Sequence, residues 1–197
     1  MEEKKFTGKG ICKYGKATYT GEVVNGKRHG KGIMEFENLD VFNGSWSNDE
    51  MDGVGLYKFW DSTLDQFSKK VYNGQFRHGV REGVGMMIYE NGDIYNGNWN
   101  NNVRDGNGVL VCRDGRFFDG LWSNGKMVKG LYRWSNGDIY DGEFKDGKCN
   151  GFGKIYWSKD GSWFEGEFKD DQPYKGLMFS PKENIRFLEI EQGEIVY

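Results

Sequence analysis

An aromatic residue followed two positions later by glycine recurs along the whole chain, and this period limits the fold more than any other feature. The step occurs seven times, with its glycines 23, 30, 23, 23, 22 and 24 residues apart. In six of the seven copies Trp or Phe follows the glycine two residues later, and a Gly-x-Gly pair usually begins nine residues after it. Such a period indicates a repeat protein in which each copy forms one small structural unit.

The spacing within each copy is typical of a β-strand. In the segment YNGNW, residues Tyr95, Gly97 and Trp99 would lie on one face of a sheet, because side chains alternate between faces along a strand. The glycine leaves a gap on that face, and an aromatic ring can pack flat against the bare backbone. Asn-Gly and Asp-Gly pairs between the copies are typical of tight hairpin turns. The pattern therefore predicts stacked β-hairpins.

Composition supports this architecture over a thick globular core. Only 37% of the residues are hydrophobic, the mean hydropathy is -0.78, and 31 residues are glycine. The aromatic content of 16% argues against disorder, since disordered chains are poor in Trp, Tyr and Phe. We therefore expect an all-β fold: an elongated, twisted, single-sheet antiparallel meander.

Two segments, YTGEVVNGKRHGKGI and YNGNWNNNVRDGNGV, resemble MORN (membrane occupation and recognition nexus) repeats. The resemblance extends over residues 1–197 and implies a single array of stacked hairpin repeats. It predicts a half repeat at 7–18, repeats starting near residues 19, 42, 72, 95, 118, 140 and 164, and a degenerate capping repeat at 187–197. Two copies have Lys129 and Lys175 in place of the first paired glycine, and we expect them to turn or pack slightly differently.

The interval of 30 residues contains a seven-residue insertion, which we expect to lengthen one hairpin. Trp60 and Phe67 would then lie on a protrusion flanked by Lys69 and Lys70, where they would form a partner contact. The other interpretation, which we favour, is a longer loop whose rings fold back onto the sheet.

The C-terminal segment also has two interpretations. We expect a capping hairpin around Gln192-Gly193, because the last repeat needs no glycine gap when nothing packs on it. The alternative is a helix beginning at Ser180-Pro181, with Glu183 completing a capping box.

Sequence motifs for catalysis and for cofactor binding are absent from the chain. It has no HExxH, P-loop or GxGxxG motif, and its Gly-x-Gly pairs precede predicted strands, whereas phosphate-binding loops open helices. Cys12, Cys112 and Cys149 are odd in number and lack CxxC spacing, so we expect reduced thiols and no zinc site. The prediction is a protein that is not an enzyme, with no catalytic residues, cofactor or metal.

The family resemblance implies a scaffold or adaptor that binds partner proteins, because MORN proteins are commonly cytoskeletal or ciliary organisers, including components of axonemal radial spokes. We expect a cytoplasmic protein associated with the cytoskeleton or a cilium, with no transmembrane segment. The partner would be an extended segment or a helix held on the aromatic and glycine face or its groove, and the array ends would allow a homodimer. The predicted contact residues, called the aromatic stripe below, are Tyr19, Phe42, Trp46, Tyr72, Phe76, Tyr95, Trp99, Phe118, Trp122, Tyr140, Phe144, Phe164 and Phe168.

Binding of an acidic phospholipid such as a phosphoinositide is the alternative function, which the family name suggests. Residues 1–33 contain eight Lys or Arg against three Glu, although the whole chain has a net charge of -3. Clustered cations favour an anionic membrane surface, but no amphipathic helix or lipidation signal accompanies them. So small a net charge makes nucleic acid an unlikely main partner. The candidate lipid-binding residues are Lys9, Lys13, Lys16, Lys27, Arg28 and Lys31.

Overall fold

A computed structural model describes residues 5–181 and 185–196, and within these ranges the regular structure is entirely β-strand. The chain forms two compact units, residues 1–103 and residues 104–197. The first contains β1 (Gly8–Tyr14), β2 (Ala17–Val24), β3 (Lys27–Glu35), β4 (Val41–Ser47), β5 (Glu50–Asp61), β6 (Gln66–Arg77), β7 (Val80–Ile88) and β8 (Ile94–Asn100). The described residues include no helix with the length and apolar character needed to span a bilayer.

The second unit begins at residue 104, the second residue of β9 (Val103–Val111). It continues with β10 (Phe117–Ser123), β11 (Lys126–Arg133), β12 (Ile139–Lys145), β13 (Lys148–Tyr156), β14 (Trp163–Lys169), β15 (Gln172–Ser180), β16 (Ile185–Glu191) and β17 (Glu194–Val196). In each unit every strand pairs antiparallel with the next one along the chain. The all-β antiparallel meander of stacked hairpins is therefore confirmed.

A row of glycines crosses each unit at the centre of the strands. In the first unit glycine faces glycine in consecutive pairs along Gly21, Gly32, Gly44, Gly55, Gly74, Gly85 and Gly97. In the second unit the row is Gly108, Gly120, Gly130, Gly142, Gly153, Gly166 and Gly176. In each unit the aromatic stripe lies on one face of the sheet, which is called the ring face. The opposite face of the sheet is called the open face.

Two kinds of turn join the strands. Two-residue turns with positive φ at both positions close one end, for example at Asn25-Gly26 and Asn124-Gly125, as tight hairpins require. Apart from the two-residue turn of β1–β2, longer loops close the other end, and in them an Asn or Asp side chain accepts a hydrogen bond from the amide two residues ahead, as Asn91 Oδ1 does from Asp93 at 3.1 Å. Most of these loops have glycine between the two residues, but the β3–β4 loop has Leu39, with φ of 68°, and the β5–β6 loop has Ser62.

The two copies that lack the first paired glycine have a smaller bulge, which confirms the predicted departure. In hairpin β2–β3 the bulge holds two extra residues, Gly30 and Lys31, and Gly30 has a φ of 59°. In hairpin β10–β11, Lys129 pairs within the ladder and the bulge holds one extra residue. The same is true of Lys175 in β14–β15. A one-residue shorter bulge removes the position where positive φ favours glycine.

The insertion and the C-terminus both form hairpins. Strands β5 and β6 have 12 residues each, so the predicted lengthening of this hairpin is confirmed. Strands β16 and β17 pair around Gln192-Gly193, so the capping hairpin is correct and the helix alternative is wrong for the described residues. Glu183 lies outside the described residues. The array boundaries, including the capping repeat at 187–197, stay predictions.

Candidate functional site

The aromatic stripe is the interior of the ring face. None of its thirteen side chains is more than 8% exposed. A Cβ placed on Gly32 would lie about 2.4 Å from the Tyr19 ring, and one on Gly55 would lie 2.2 Å from the Phe42 ring. The rings therefore fill the gaps that the glycines leave, as the strand pattern predicts. Their burial shows a packing role, and contact with a partner stays a prediction.

Hydrogen bonds satisfy the polar ends of these buried rings. Each of the four stripe tyrosines donates its hydroxyl hydrogen to the carbonyl three residues ahead, at 2.8 to 3.0 Å. The indole Nε1 of Trp99 donates to the carbonyl of Gly85 at 2.9 Å, and Trp46 and Trp122 make the equivalent bond. Neighbouring rings meet edge to face, for example Tyr72 and Trp99 at 5.4 Å between centroids. The ring face is consequently rigid.

Arginines cover the tryptophans from above and tie consecutive hairpins together. The guanidinium carbon of Arg81 lies 4.8 Å from the Trp99 ring centre, and that of Arg104 lies 4.1 Å from the Trp122 ring centre. Arg81 also donates to the carbonyl and side-chain oxygens of Asn102 in the next turn, at 3.1 and 3.2 Å. Sequence analysis missed this contact, although its signal is visible: an arginine two residues before the first glycine of a Gly-x-Gly pair.

Arg28 occupies the same position in its hairpin, and its assignment to the lipid-binding set stays a prediction. Its guanidinium lies 4.6 Å from the Trp46 ring centre, and its Nε lies 3.3 Å from Asp49 Oδ1. Its side chain is only 18% exposed. A guanidinium held this way stabilises the hairpin stack.

Concave pockets line the ring face, with stripe rings as their floors. In the first unit a cavity of about 390 Å³ has Tyr72 and Phe76 as its floor and Tyr57, Phe59 and Met51 in its walls. The half-buried Tyr57 and Phe59 rings lie 4.8 Å apart. Lys70, Arg81 and Asn102 complete the lining, so the ring face offers a recess of side-chain size with both aromatic and polar surface.

Two further pockets lie side by side in the second unit. The first, of about 370 Å³, has Phe118 and Trp122 in its floor, and the second, of about 270 Å³, has Phe144. Tyr132 lines both, and Trp134 packs against it at 4.8 Å. Sequence analysis missed the wall residues Tyr57, Phe59, Tyr132 and Trp134. In each repeat they follow the second glycine position, Gly55 or Gly130, by two and four residues.

Hydrogen bonds and burial hold Tyr57 and Cys149 in the pocket walls in their neutral forms. Charged side chains also line the pockets: Lys70 and Arg81 in the first unit, and Arg104, Arg116, Lys126, Asp146 and Asp171 in the second. Burial, together with the hydrogen bond that Tyr57 donates to Asp40 at 2.9 Å, raises the pKa of the Tyr57 phenol. The other Asp40 oxygen accepts the Trp60 amide at 2.7 Å. In the second unit, burial and Asp171 raise the pKa of the Cys149 thiol to about 12. The pockets thus offer apolar surface and fixed polar groups, and this thiol is a poor nucleophile.

Among residues 5–181 and 185–196, no group of three or more His, Cys, Asp or Glu side chains is placed to hold a metal ion. Of the candidate lipid-binding residues, all five lysines are exposed, and the Lys31 ammonium donates to Ser45 Oγ at 2.7 Å. Their role in lipid binding stays a prediction.

In the lengthened hairpin, Trp60 and Phe67 face each other across the strands with ring centroids 5.1 Å apart. Phe67 is 46% exposed and Trp60 is half-buried, so the pair is partly open to solvent. The Lys70 ammonium, which was expected to flank this pair, lies 4.3 Å from the Phe59 ring centre. Partner contact through Trp60 and Phe67 stays a prediction.

Comparison with known proteins gives one family. A profile of the MORN repeat matches residues 19–41, 42–61, 72–94, 95–115, 118–139 and 140–162, about two thirds of the chain. Rat alsin is 30% identical over 159 residues, which are 77% of this chain and 9% of alsin. MORN repeat-containing protein 3 of Xenopus laevis is 35% identical over 72 residues, or 36% of this chain and 30% of that protein. The chain thus spans less than a third of either relative.

A solved structure, the TCP domain of SAS-4 from Drosophila melanogaster, aligns with 92% of this chain and 77% of that domain. Its TM-score is 0.27 and its sequence identity 10%, so the alignment has no bearing on fold or function.

Proposed function

Because the chain belongs to the MORN repeat family, we propose that it is a non-catalytic scaffold or adaptor that binds partner proteins on its ring face. The observation that carries this proposal is the set of pockets that are floored by stripe rings and walled by half-buried aromatic side chains, with charged side chains also in their lining. Trp and Tyr side chains in well-packed pockets contribute much of the binding energy of protein interfaces. An extended segment or a helix would place apolar side chains in these pockets.

The pocket walls, not the floors, are the residues to change in a test. Replacing Trp99 or Trp122 would remove buried core and unfold the hairpins. Tyr132 and Trp134 are partly exposed, so their replacement should cost less stability, and urea unfolding of the variant measures that cost. Partner proteins captured from the source cell by the whole chain should be lost with Tyr132→Ala plus Trp134→Ala. They should remain with Phe152→Ser on the open face, and at moderate salt. Equal loss with both variants would contradict ring-face binding.

The cellular setting that we propose is a cytoskeletal or ciliary assembly, including an axonemal, radial-spoke-like one. It rests on the family resemblance alone, and a tagged chain should then fractionate with the cytoskeleton or the axoneme. A homodimer through the array ends is a further part of the proposal, and sedimentation velocity of the whole chain would detect it. A monomer distributed evenly through the cytoplasm would contradict both.

Acidic-phospholipid binding at a membrane-cytoskeleton junction is the second candidate. The exposure of Lys9, Lys13, Lys16, Lys27 and Lys31 favours it, since each lysine near an anionic surface contributes about 1 kcal/mol. Binding to phosphoinositide-containing vesicles should fall with salt and with Lys→Glu changes at these five positions. Vesicle binding that persists after those changes would exclude this lysine surface.

A further inference from the structure

Strand β1 has an edge that no other strand covers among the described residues. It carries the pair Gly8 and Gly10, and Gly10 faces Gly21 of β2. Strands β3, β5 and β7 carry the equivalent glycine pairs, and each of them pairs with a neighbour on both sides. In residues 5–181 and 185–196, β1 pairs with β2 alone. Its other edge is therefore open in the part of the chain that the structure describes.

The hydrogen-bonding groups of this edge belong to Lys9, Ile11 and Lys13. In an antiparallel ladder, alternate residues direct their N–H and C=O groups to the partner strand. Tyr14 and Ala17 close the two-residue turn of β1–β2 and bond to each other, so every second residue back from Tyr14 also bonds to β2. The residues between them direct their groups outward. Such a row of donors and acceptors is a template for another strand.

The glycine gap at Gly10 has no ring from a preceding strand over it. In hairpin β2–β3 the Tyr19 ring fills the equivalent gap, since a Cβ on Gly32 would lie 2.4 Å from its Cζ. At Gly10 the nearest atom is 3.3 Å from the Cβ position and belongs to Phe6, which precedes β1 in the chain. Phe6 is 54% exposed. Its side chain thus covers the gap only loosely.

The Phe6 side chain can leave the gap without moving the strand. Its carbonyl accepts a hydrogen bond from the Gly26 amide at 2.8 Å, and the Thr7 hydroxyl accepts one from the Asn25 amide at 3.0 Å. These bonds hold the backbone, whereas the exposed ring needs only a change of rotamer, which is fast for exposed side chains. An incoming aromatic ring can therefore take its place.

The register of the repeat specifies the strand that fits. In hairpin β2–β3 glycine faces glycine, and Tyr19, two residues before its glycine, faces Met34. A strand that docks on β1 in the same way has a glycine opposite Gly10 and an aromatic residue, two positions earlier, opposite Cys12. Its ring then lies over Gly10, as the Tyr19 ring lies over the glycine of β3. The fitting strand therefore carries the aromatic-x-Gly step.

The charge of β1 favours an acidic strand. Lys9 and Lys13 lie with Ile11 on the open face, both lysines are exposed, and β1 contains no acidic residue. Glu22 faces Lys9 from β2, but its carboxyl group lies beside Gly30 of β3. Among the described residues neither lysine forms an ion pair. Carboxylates directly opposite these lysines would add favourable cross-strand pairs.

We propose that the open edge of β1 binds an acidic β-strand of a partner protein that carries the aromatic-x-Gly step, and that Phe6 leaves the Gly10 gap to admit its ring. The strand extends the sheet and needs none of the ring-face pockets, so this site is separate from the one proposed above. A second copy of this chain does not fit through its own β1. Antiparallel pairing about Ile11 would place Lys9 of one copy opposite Lys13 of the other.

A peptide with blocked ends and the sequence EYNGEW tests this proposal on the whole chain. In the proposed register its glycine faces Gly10, its tyrosine faces Cys12, and its two glutamates face Lys9 and Lys13. Calorimetric titration should give one site with a Kd below about 1 mM. Amide exchange followed by NMR should slow at Lys9, Ile11 and Lys13, whose N–H groups become bonded.

Two variants test the gap and its cover. Phe6→Ala should strengthen peptide binding about fivefold, because the side chain no longer competes for the gap. Gly10→Ala should weaken it at least about tenfold, since the new Cβ occupies the position of the incoming ring. The peptide EANGEW, which lacks that ring, should also bind at least about tenfold more weakly. Lys9→Glu plus Lys13→Glu should weaken binding by repulsion of the glutamates.

A matched control separates this edge from the ring face. Tyr132→Ala plus Trp134→Ala should leave peptide affinity unchanged, and its loss would overturn this inference while supporting ring-face binding. Equal affinity for Gly10→Ala would show that the lysines alone attract the peptide, and weaker binding to Phe6→Ala would make that ring a contact instead of a cover. Either result would overturn the inference. So would the absence of binding, or a dimer of the whole chain in which the Ile11 amide is protected.

Discussion

Adding one methyl group at the centre of the glycine row should be strongly destabilising, and Gly85→Ala is the sharpest case. Gly85 has an ordinary strand conformation, so the backbone itself would accept alanine. The new Cβ would lie 2.2 Å from the Tyr72 hydroxyl oxygen and 2.5 Å from its Cζ. Both separations are far below van der Waals contact, so the ring or the strand has to move.

The structure sets the size of the effect. Tyr72 is fully buried and lies between Phe76 and Trp99, at centroid distances of 5.1 and 5.4 Å, so it has no free space to enter. Forced repacking costs about 1–3 kcal/mol, and losing the 3.0 Å hydrogen bond from Tyr72 to the Gln75 carbonyl adds about 1 kcal/mol. We expect the free energy of unfolding to fall by about 3 kcal/mol.

Urea unfolding followed by tryptophan fluorescence measures this loss, with Gly10→Ala as the control. At Gly10 the nearest atom to a new Cβ is 3.3 Å away, in the exposed and movable Phe6 side chain, so the change should stay within about 0.5 kcal/mol. In a Tyr72→Leu background the cost of Gly85→Ala should drop below about 1 kcal/mol. An equal cost with and without the ring would refute the packing of rings on glycines.

Three further changes test other parts of the structure. Leu39→Gly should raise the free energy of unfolding by about 1 kcal/mol in thermal melts, because Leu39 is exposed and has a φ of 68°; a lower melting temperature would contradict this. Arg81→Met should lower the free energy of unfolding by about 1–2 kcal/mol in urea, since it removes the Trp99 contact and both hydrogen bonds to Asn102; no change would show that the arginine is dispensable. Burial raises the pKa of Tyr72 to about 12, so its contribution is complete below pH 10 and is lost as pH rises toward 12; Tyr72→Phe should lessen the alkaline loss of stability, followed by circular dichroism.

The hairpin stack could be predicted because its determinants are local and repeated. The alternation of Tyr95, Gly97 and Trp99 fixes which side chains share a face, and the same alternation recurs in every copy. The different bulge at Lys129 could also be predicted, because this copy lacks the glycine that favours positive φ at that position. Each of these signals lies within one hairpin.

Contacts between hairpins were harder to predict. Arg28 counted as part of a basic end in the sequence, but its bonds to Asp49 depend on how one turn lies beside the next strand. The pocket walls depend in the same way on which rings the following hairpin leaves uncovered, as at Tyr132. The separation of roles between stripe and wall therefore became evident only from the packed structure.

The repeated residues limit the positions at which the chain can recognise a partner specifically. Stripe rings, paired glycines and capping arginines all form bonds or contacts within the chain, so a change in any of them alters stability before it alters recognition. Positions such as Phe152 and Tyr156 make few demands on the hairpin and vary in size and charge from copy to copy, whereas the position of Trp134 is aromatic in most copies. A single-layered sheet exposes such positions on both faces, and a partner can be distinguished on each. Partner recognition should therefore depend on the residues that break the repeat pattern, whereas the repeated residues should determine stability.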